Sequence, residues 1–199
     1  MAVATKARVL DAALASFGSK GYEATSLDSL AATLGLTKQS ILYHFASKEA
    51  LLEALIDRSA VELADALEDA IANAGPGFAR VEAVVRSVFR LAARRPELLN
   101  FVREVSRLGP PAATRLMAEL DPLIARASAF LEAEMEAGNM RRQEPRLLLL
   151  AAYSTVIGMA TEVEVLRAFG EEPGLRSLVR RRSELIAFLR SALEASSSA

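Results

Sequence analysis

The chain has 199 residues, of which 52% are hydrophobic and 25% charged, with 24 Lys plus Arg against 25 Asp plus Glu and a formal net charge of -1. This length and balance fit a folded globular protein with a sizeable core and exclude a charged, disordered chain. Near-neutrality also means that any binding of nucleic acid must come from a local motif. The absence of Cys excludes disulfide scaffolds, thiol nucleophiles, thiolate zinc sites and iron-sulfur clusters, and it fits a reducing cytoplasm. His44 is the single histidine, which excludes multi-histidine metal centres, so neither metal nor cofactor is expected. The most apolar stretch, 147–160, is interrupted by Ser154 and Thr155 and is shorter than the about 20 residues that span a membrane. No membrane partner is expected, and because MAVATKARVLDAA lacks the pattern of a secretory signal, the expected location is cytoplasmic.

Helical spacing recurs from end to end and alternating strand patterns are nearly absent, which gives an all-α fold class. A first helix is expected over about 5–19, with Leu10, Ala13, Leu14 and Phe17 on one stripe and Gly21 as the break. Thr25 or Ser26 caps a short second helix, Thr25 and Asp28 are spaced as a capping box, and Gly35 ends the helix after an apolar face of Leu27, Leu30, Ala31 and Leu34. Thr37 caps a third helix over 38–45, and Ser47 caps a long fourth that runs to about residue 73. After the Gly75-Pro76-Gly77 loop, one helix carries Val81, Val84, Val85 and Val88 up to Pro96, and another carries Leu98, Phe101, Val102 and Val105 up to Gly109-Pro110-Pro111. Pro122 marks either a kink or a fresh start capped by Asp121. Gly138-Asn139 closes that helix, and two long helices are expected over 145–169 and 173–193 before a frayed tail at Ser196 to Ser198.

Two short helices joined by Leu34-Gly35-Leu36-Thr37, the first amphipathic and the second rich in donors, have the shape of a helix-turn-helix. Ile41 and Phe45 hold the second helix down, while Lys38, Gln39, Ser40 and Tyr43 offer polar groups to a groove. Lys donates to guanine O6 or N7, and Gln binds adenine through both amide groups. Tyr43, His44 and the Ser47-Lys48 helix start suit phosphate, although His44 could equally pack beside Phe45. Lys48 opposes the dipole of the helix it begins, a local cost that a nearby phosphate would offset. Residues 1 to 50 hold five Lys or Arg and four acidic residues, so binding would have to use charges clustered on one face.

The block GYEATSLDSLAATLGLTKQSILYHFASKEALL, residues 21–52, resembles the DNA-binding region of the TetR family of transcriptional repressors through Gly21, Thr25 or Ser26, Leu30-Ala31, Gly35-Leu36-Thr37, Tyr43, Phe45, Ser47-Lys48 and Leu51. Gln39 stands where the family often has a small residue or proline, Leu42 where it often has tyrosine, and Asp28 where some members carry a basic base-reading residue. The resemblance implies a helix-turn-helix DNA-binding domain over 1–46 and a helical ligand-binding and dimerisation domain over 47–199. It further implies a homodimer on double-stranded, palindromic operator DNA, released by a small-molecule effector. The candidate DNA contacts are Thr25, Ser26, Lys38, Gln39, Ser40, Tyr43, His44 and Lys48.

The penultimate helix is apolar on nearly every side, so it must be covered all round, either by its own domain or by a partner that approaches closely at Ala151, Ser154, Thr155 and Gly158. Leu178, Leu185 and Leu189 of the last helix are further candidates for this interface, whereas Arg180-Arg181-Arg182 is expected as a solvated face. Phe89, Phe101, Met117, Phe130, Tyr153 and Met159 are candidates for lining an apolar effector pocket, and core packing accounts for them equally well. Arg103, with Arg86 and Glu104, is a candidate for orienting a polar or anionic group on that effector. Two rival classes remain at this stage. An enzyme would need a nucleophile with its base, a metal cluster or a phosphate loop, none of which the sequence supplies. A helical, dimeric interaction protein without ligand control is the other.

Overall fold

A computed structural model describes residues 2–194; the tail expected at Ser196 to Ser198 lies outside them. Among the described residues the chain forms helices throughout, apart from one isolated antiparallel bridge between Met140 and Glu194, as the all-α expectation required. The helices build two compact units. Among the described residues, one takes those up to Leu63 together with Pro96–Leu120, and the other takes Ala64–Arg95 together with those from Asp121 to Glu194.

The first unit is organised by α1 (Ala2–Lys20) and α6 (Pro96–Leu108), whose backbones touch at Gly18. A Cβ added there would lie 2.8 Å from the Glu97 carbonyl oxygen and 3.3 Å from the Phe101 amide nitrogen, so no larger residue fits without moving a helix. Beside this contact the fully buried Phe17 ring stacks on Phe101 at 6.3 Å and meets Tyr22 edge-on at 5.2 Å. Short helix α2 (Leu27–Leu34) packs on α1 through Leu27, Leu30 and Ala31, and α3 (Lys38–Leu42) packs on α2. The long α4 (Lys48–Ala72) buries Leu51, Leu55 and Ile56 in this unit. Helix α7 (Ala112–Glu136) is tied to α4 by Arg115, whose Nε and Nη2 reach the two Asp57 carboxylate oxygens at 2.6 and 2.7 Å. Pro122 lies inside α7 and starts no new helix. Buried Leu116 and Leu120 before it and Leu131 and Met135 after it hold both halves helical against the local cost of proline.

In the second unit α5 (Phe78–Arg94) packs on α8 (Pro145–Thr161) and α10 (Leu175–Leu193). Leu131, Met135 and Met140 form a core cluster with Val81, Phe130, Leu148 and Leu149 around it. The helix expected over 145–169 is broken at Glu162 (φ -80, ψ 69), and α9 (Val163–Ala168) follows as a separate turn. The break leaves the last carbonyls of α8 without amides from a next turn. Arg181, only 8% exposed, donates to one of them, the Met159 carbonyl, and burial pulls its guanidinium pKa down. The triplet expected as a solvated face is therefore split three ways, because Arg180 pairs with Glu171 and Arg182 is half-buried.

Gly18 gives a test in which two effects have opposite sign. Alanine favours an exposed helix by about 1 kcal/mol over glycine, but overpacking a close contact costs about 1 to 3 kcal/mol. With helix backbone as the obstacle, the clash should dominate, and Gly18→Ala should lower the midpoint of urea unfolding.

Candidate nucleic-acid interface

The helix-turn-helix is shaped by local hydroxyl groups. Ser26, in extended conformation (φ -109, ψ 157), is the cap of α2: its Oγ accepts the Ser29 N-H at 3.0 Å, and Ser29 Oγ accepts the Ser26 N-H at 3.1 Å. The capping box therefore pairs Ser26 with Ser29, not Thr25 with Asp28. Thr25 is 2% exposed; its hydroxyl donates to the Gly21 carbonyl at 2.9 Å and lies 3.0 Å from Ser16 Oγ. It braces the turn from inside and faces no groove, which corrects its place among the DNA contacts. At the far end Gly35 adopts a left-handed conformation (φ 65, ψ 32) and Leu36 donates back to the Ala31 carbonyl at 2.9 Å, closing α2 and redirecting the chain.

Thr37 then caps α3 by accepting the Ser40 N-H at 3.2 Å, and Ser40 Oγ lies 2.9 Å from Thr37 Oγ1, so the Ser40 hydroxyl is engaged in the cap. The helix stops at Leu42, shorter than the expected 38–45. Ile41 is fully buried and Phe45 4% exposed, and these two fix the segment from below. The Gln39 side chain is exposed with no hydrogen-bond partner among the described residues, and Tyr43 is 82% exposed, the largest open aromatic surface of the motif. His44 is half-buried, with Tyr43 edge-on at 5.2 Å and Phe45 at 6.5 Å, so it both packs and keeps an open edge.

The cations around this surface are held in place. Lys38 Nζ lies 2.9 Å from Asp28 across the two helices. Lys48 Nζ sits 4.0 Å above the Tyr22 ring. Burial, and then the Glu49 carboxylate to which its hydroxyl donates at 3.4 Å, push the Tyr22 phenol up to about 12. Tyr22 donates its N-H to Glu104 of α6 at 2.8 Å, which anchors the turn before α2. Two cations escaped the motif because they lie on the exposed side of α1, where no spacing marks them. Arg8 donates to the Leu34 carbonyl at 3.2 Å, and Lys6 lies 5.7 Å from the centre of the Phe45 ring.

The residues singled out for an effector are divided between the two units. Phe101, Arg103 and Met117 belong to the first unit, where Phe101 is spent on the stack with Phe17; Phe89, Phe130, Tyr153 and Met159 belong to the second. Phe89 alone among them lines the cleft of about 260 Å³ between α5 and α10. Among the interface candidates, Leu185 and Leu189 are 1% and 4% exposed inside the chain's own core, so these two are corrected, while Leu178 is half-buried and lines the cleft. Ala151 and Ser154 are exposed on α8, and Thr155 and Gly158 half-buried.

Residues 9–55 match the model of bacterial regulatory proteins of the tetR family. The HTH-type transcriptional regulator RutR of Escherichia coli K12 is 26% identical over 153 residues, covering 76% of this chain and 72% of RutR. Residues 9–55 are thus a DNA-binding region of the tetR type. A second TetR-type relative, the negative transcriptional regulator IcaR of the Staphylococcus aureus Newman biofilm operon, is 40% identical over 48 residues, 24% of this chain and 26% of IcaR. The fold of AibR, solved in complex with isovaleryl coenzyme A and operator DNA, matches with a TM-score of 0.77 at 17% identity, over 92% of this chain and 96% of that one. With this region, and with RutR similar over most of its length, the chain is a DNA-binding transcriptional regulator. Among the described residues no helix is long and apolar enough to cross a membrane, and no cluster of acidic or histidine side chains could hold a metal.

The Lys38–Asp28 pair is exposed, and exposed pairs contribute at most about 1 kcal/mol, so DNA can displace it cheaply. Asp28→Asn removes both the competitor for Lys38 and a negative charge from the exposed surface of the motif. Duplex binding should tighten by about two- to tenfold at low salt, with the gain shrinking as ionic strength rises, by fluorescence anisotropy.

Proposed function

We propose that this regulator is a homodimeric repressor of the TetR type that holds a palindromic operator and is released by a small molecule. The observation that carries it is the pairing of Gln39 and Tyr43, exposed on an α3 anchored by Ile41, with an uncovered apolar face on α8 of the same chain. In the DNA-contacting segment, 1–46 with the start of α4, Lys38 and Gln39 read bases, while Tyr43, His44, Lys48 and the α2 start at Ser26 position phosphates. On α8, Leu147 and Leu150 are 65% and 58% exposed, and Gly158 has nothing within 4 Å of where a Cβ would stand. Large apolar side chains beside small residues suit close packing against the same helix of a second copy, with Phe188 of α10, 62% exposed, as a further member of the face.

Ligand release would act through α4. This helix begins at Lys48 beside the recognition segment and continues without a break to Ala72, beyond the division at Leu63. A ligand that favours one position of its far half biases its near half, and operator DNA must weaken that ligand by the same factor.

Two experiments test this function. Selection from random duplex DNA should return an inverted repeat with half-site centres about 34 to 36 Å apart, or a multiple of that. In that site Gln39→Ala should relax one base step by about 1 to 3 kcal/mol, whereas Lys48→Ala should weaken all sequences alike and flatten the salt slope by about one unit. The dimer is tested by Leu150→Arg, which places a charge on an already exposed position. It should leave the thermal midpoint nearly unchanged, yield monomers in light scattering, and reduce operator affinity by about a hundredfold or more as the second half-site is lost.

A further inference from the structure

The cleft between α5 and α10 has a chemistry of its own. On α5 it is lined by Arg86, Phe89, Arg90 and Ala93, and on α10 by Leu175, Leu178, Val179 and Arg182. Each set follows helical i, i+3, i+4, i+7 spacing, so each is a single stripe facing the other. The helices run antiparallel, because Arg190 near the end of α10 reaches Glu82 near the start of α5 at 3.1 Å and lies 4.3 Å above the Phe78 ring. Phe78 is buried at one end of the pair, and the cleft lies toward the other end, between 86–93 of α5 and 175–182 of α10.

Three arginines and no carboxylate line this space. Arg86 is oriented by Glu82, at 2.9 Å from Nε and 2.5 Å from Nη2, but Glu82 also serves Arg190, so one negative charge is shared between two cations. Neither Arg90 nor Arg182 forms an ion pair among the described residues, and the buried Nε of Arg182 has no hydrogen-bond partner. This contrasts with Arg115, Arg126 and Arg180, each of which meets a carboxylate. A half-desolvated guanidinium donor without an acceptor is unfavourable, and its fork geometry suits an oxyanion. Between the arginines, Phe89, Leu175 and Leu178 give an apolar wall. An apolar cavity of about 150 Å³ holds a benzene ring, so the cleft of about 260 Å³ has room for a chain or ring of somewhat greater size.

We propose that this cleft binds an amphipathic anion, a carboxylate or phosphate monoester on a medium-length apolar tail, with its head at Arg90 and Arg182 and its tail against Phe89 and Leu178. Binding stands without the repressor function; as the effector class it rests on that function and replaces the mainly apolar ligand expected from the sequence.

The test is calorimetric titration of the full chain with octanoate, octyl phosphate and uncharged 1-octanol at fixed ionic strength. Octanoate or octyl phosphate should bind once per chain, with 1-octanol at least about tenfold weaker, and the tighter of the two anions identifies the head group. Arg90→Gln, at an exposed position, and Arg182→Gln should each weaken the anion by about tenfold, and Ala93→Phe should block the tail. Because Arg90 and Ala93 are exposed, their variants should melt with the wild type. Equal affinity for octanoate and 1-octanol, no binding of either anion, or anion binding unchanged in all three variants would overturn the site. Operator affinity measured with and without the bound anion then separates the two claims. Tight binding that leaves operator affinity unchanged upholds the cleft and overturns its part in release.

Discussion

The contact of α1 with α6 at Gly18 is the constraint on which the DNA-contacting segment depends. With no side chain at that point, the two backbones come close enough for Phe17 to stack on Phe101, and one turn further along α6 Glu104 catches the Tyr22 amide. Tyr22 in turn supports Lys48 and sets the turn from which α2 departs. The platform for a short N-terminal motif is thus supplied by a helix some eighty positions later, since Tyr22 and Glu104 are 82 residues apart in sequence. Contacts of that separation carry a large loop-closure cost, and the motif gains its rigidity only after α6 has docked.

Much of the architecture was legible because the signals that define it are local. Thr37, Gly35 and the apolar spacing of Leu27, Leu30 and Ala31 act within one turn of the backbone they control, and the structure puts the helix ends at those residues. What could not be read depends on partners that neither capping nor periodicity marks. Thr25 and Ser26 are equivalent as hydroxyls in sequence, and only the arrival of Ser16 and Gly21 makes one a buried brace and the other the cap. The break at Glu162 depends on Arg181 reaching back from α10 to satisfy a freed carbonyl. Leu178, Leu185 and Leu189 share one apolar periodicity, and periodicity alone does not distinguish a cleft wall from a core or from a surface left for a partner.

Electrostatics in the motif are weak by construction and positional in effect. Lys38, Lys48 and Arg8 each have a modest neighbour: a carboxylate across the turn, an aromatic face and a backbone carbonyl. Such contacts cost little to exchange for phosphate, yet they restrict the rotamers of long side chains before DNA arrives. A chain with almost no net charge can in this way present cations at fixed places without paying the self-repulsion of a strongly basic surface.

The division of labour along α3 has a consequence for how such a protein diversifies. Ile41 is fully buried and Phe45 nearly so, whereas the side chain of Gln39, between them and the cap, is exposed and makes no hydrogen bond among the described residues. Sequence drift at position 39 is therefore nearly neutral for folding, while drift at 41 is not. With Gln39 reading bases as proposed, a copy arising by gene duplication could explore new target sites by single substitutions at that position without first acquiring compensating stability. The same separation makes residue 39 the natural place to randomise when a regulator of this shape is to be given a new address in a genome.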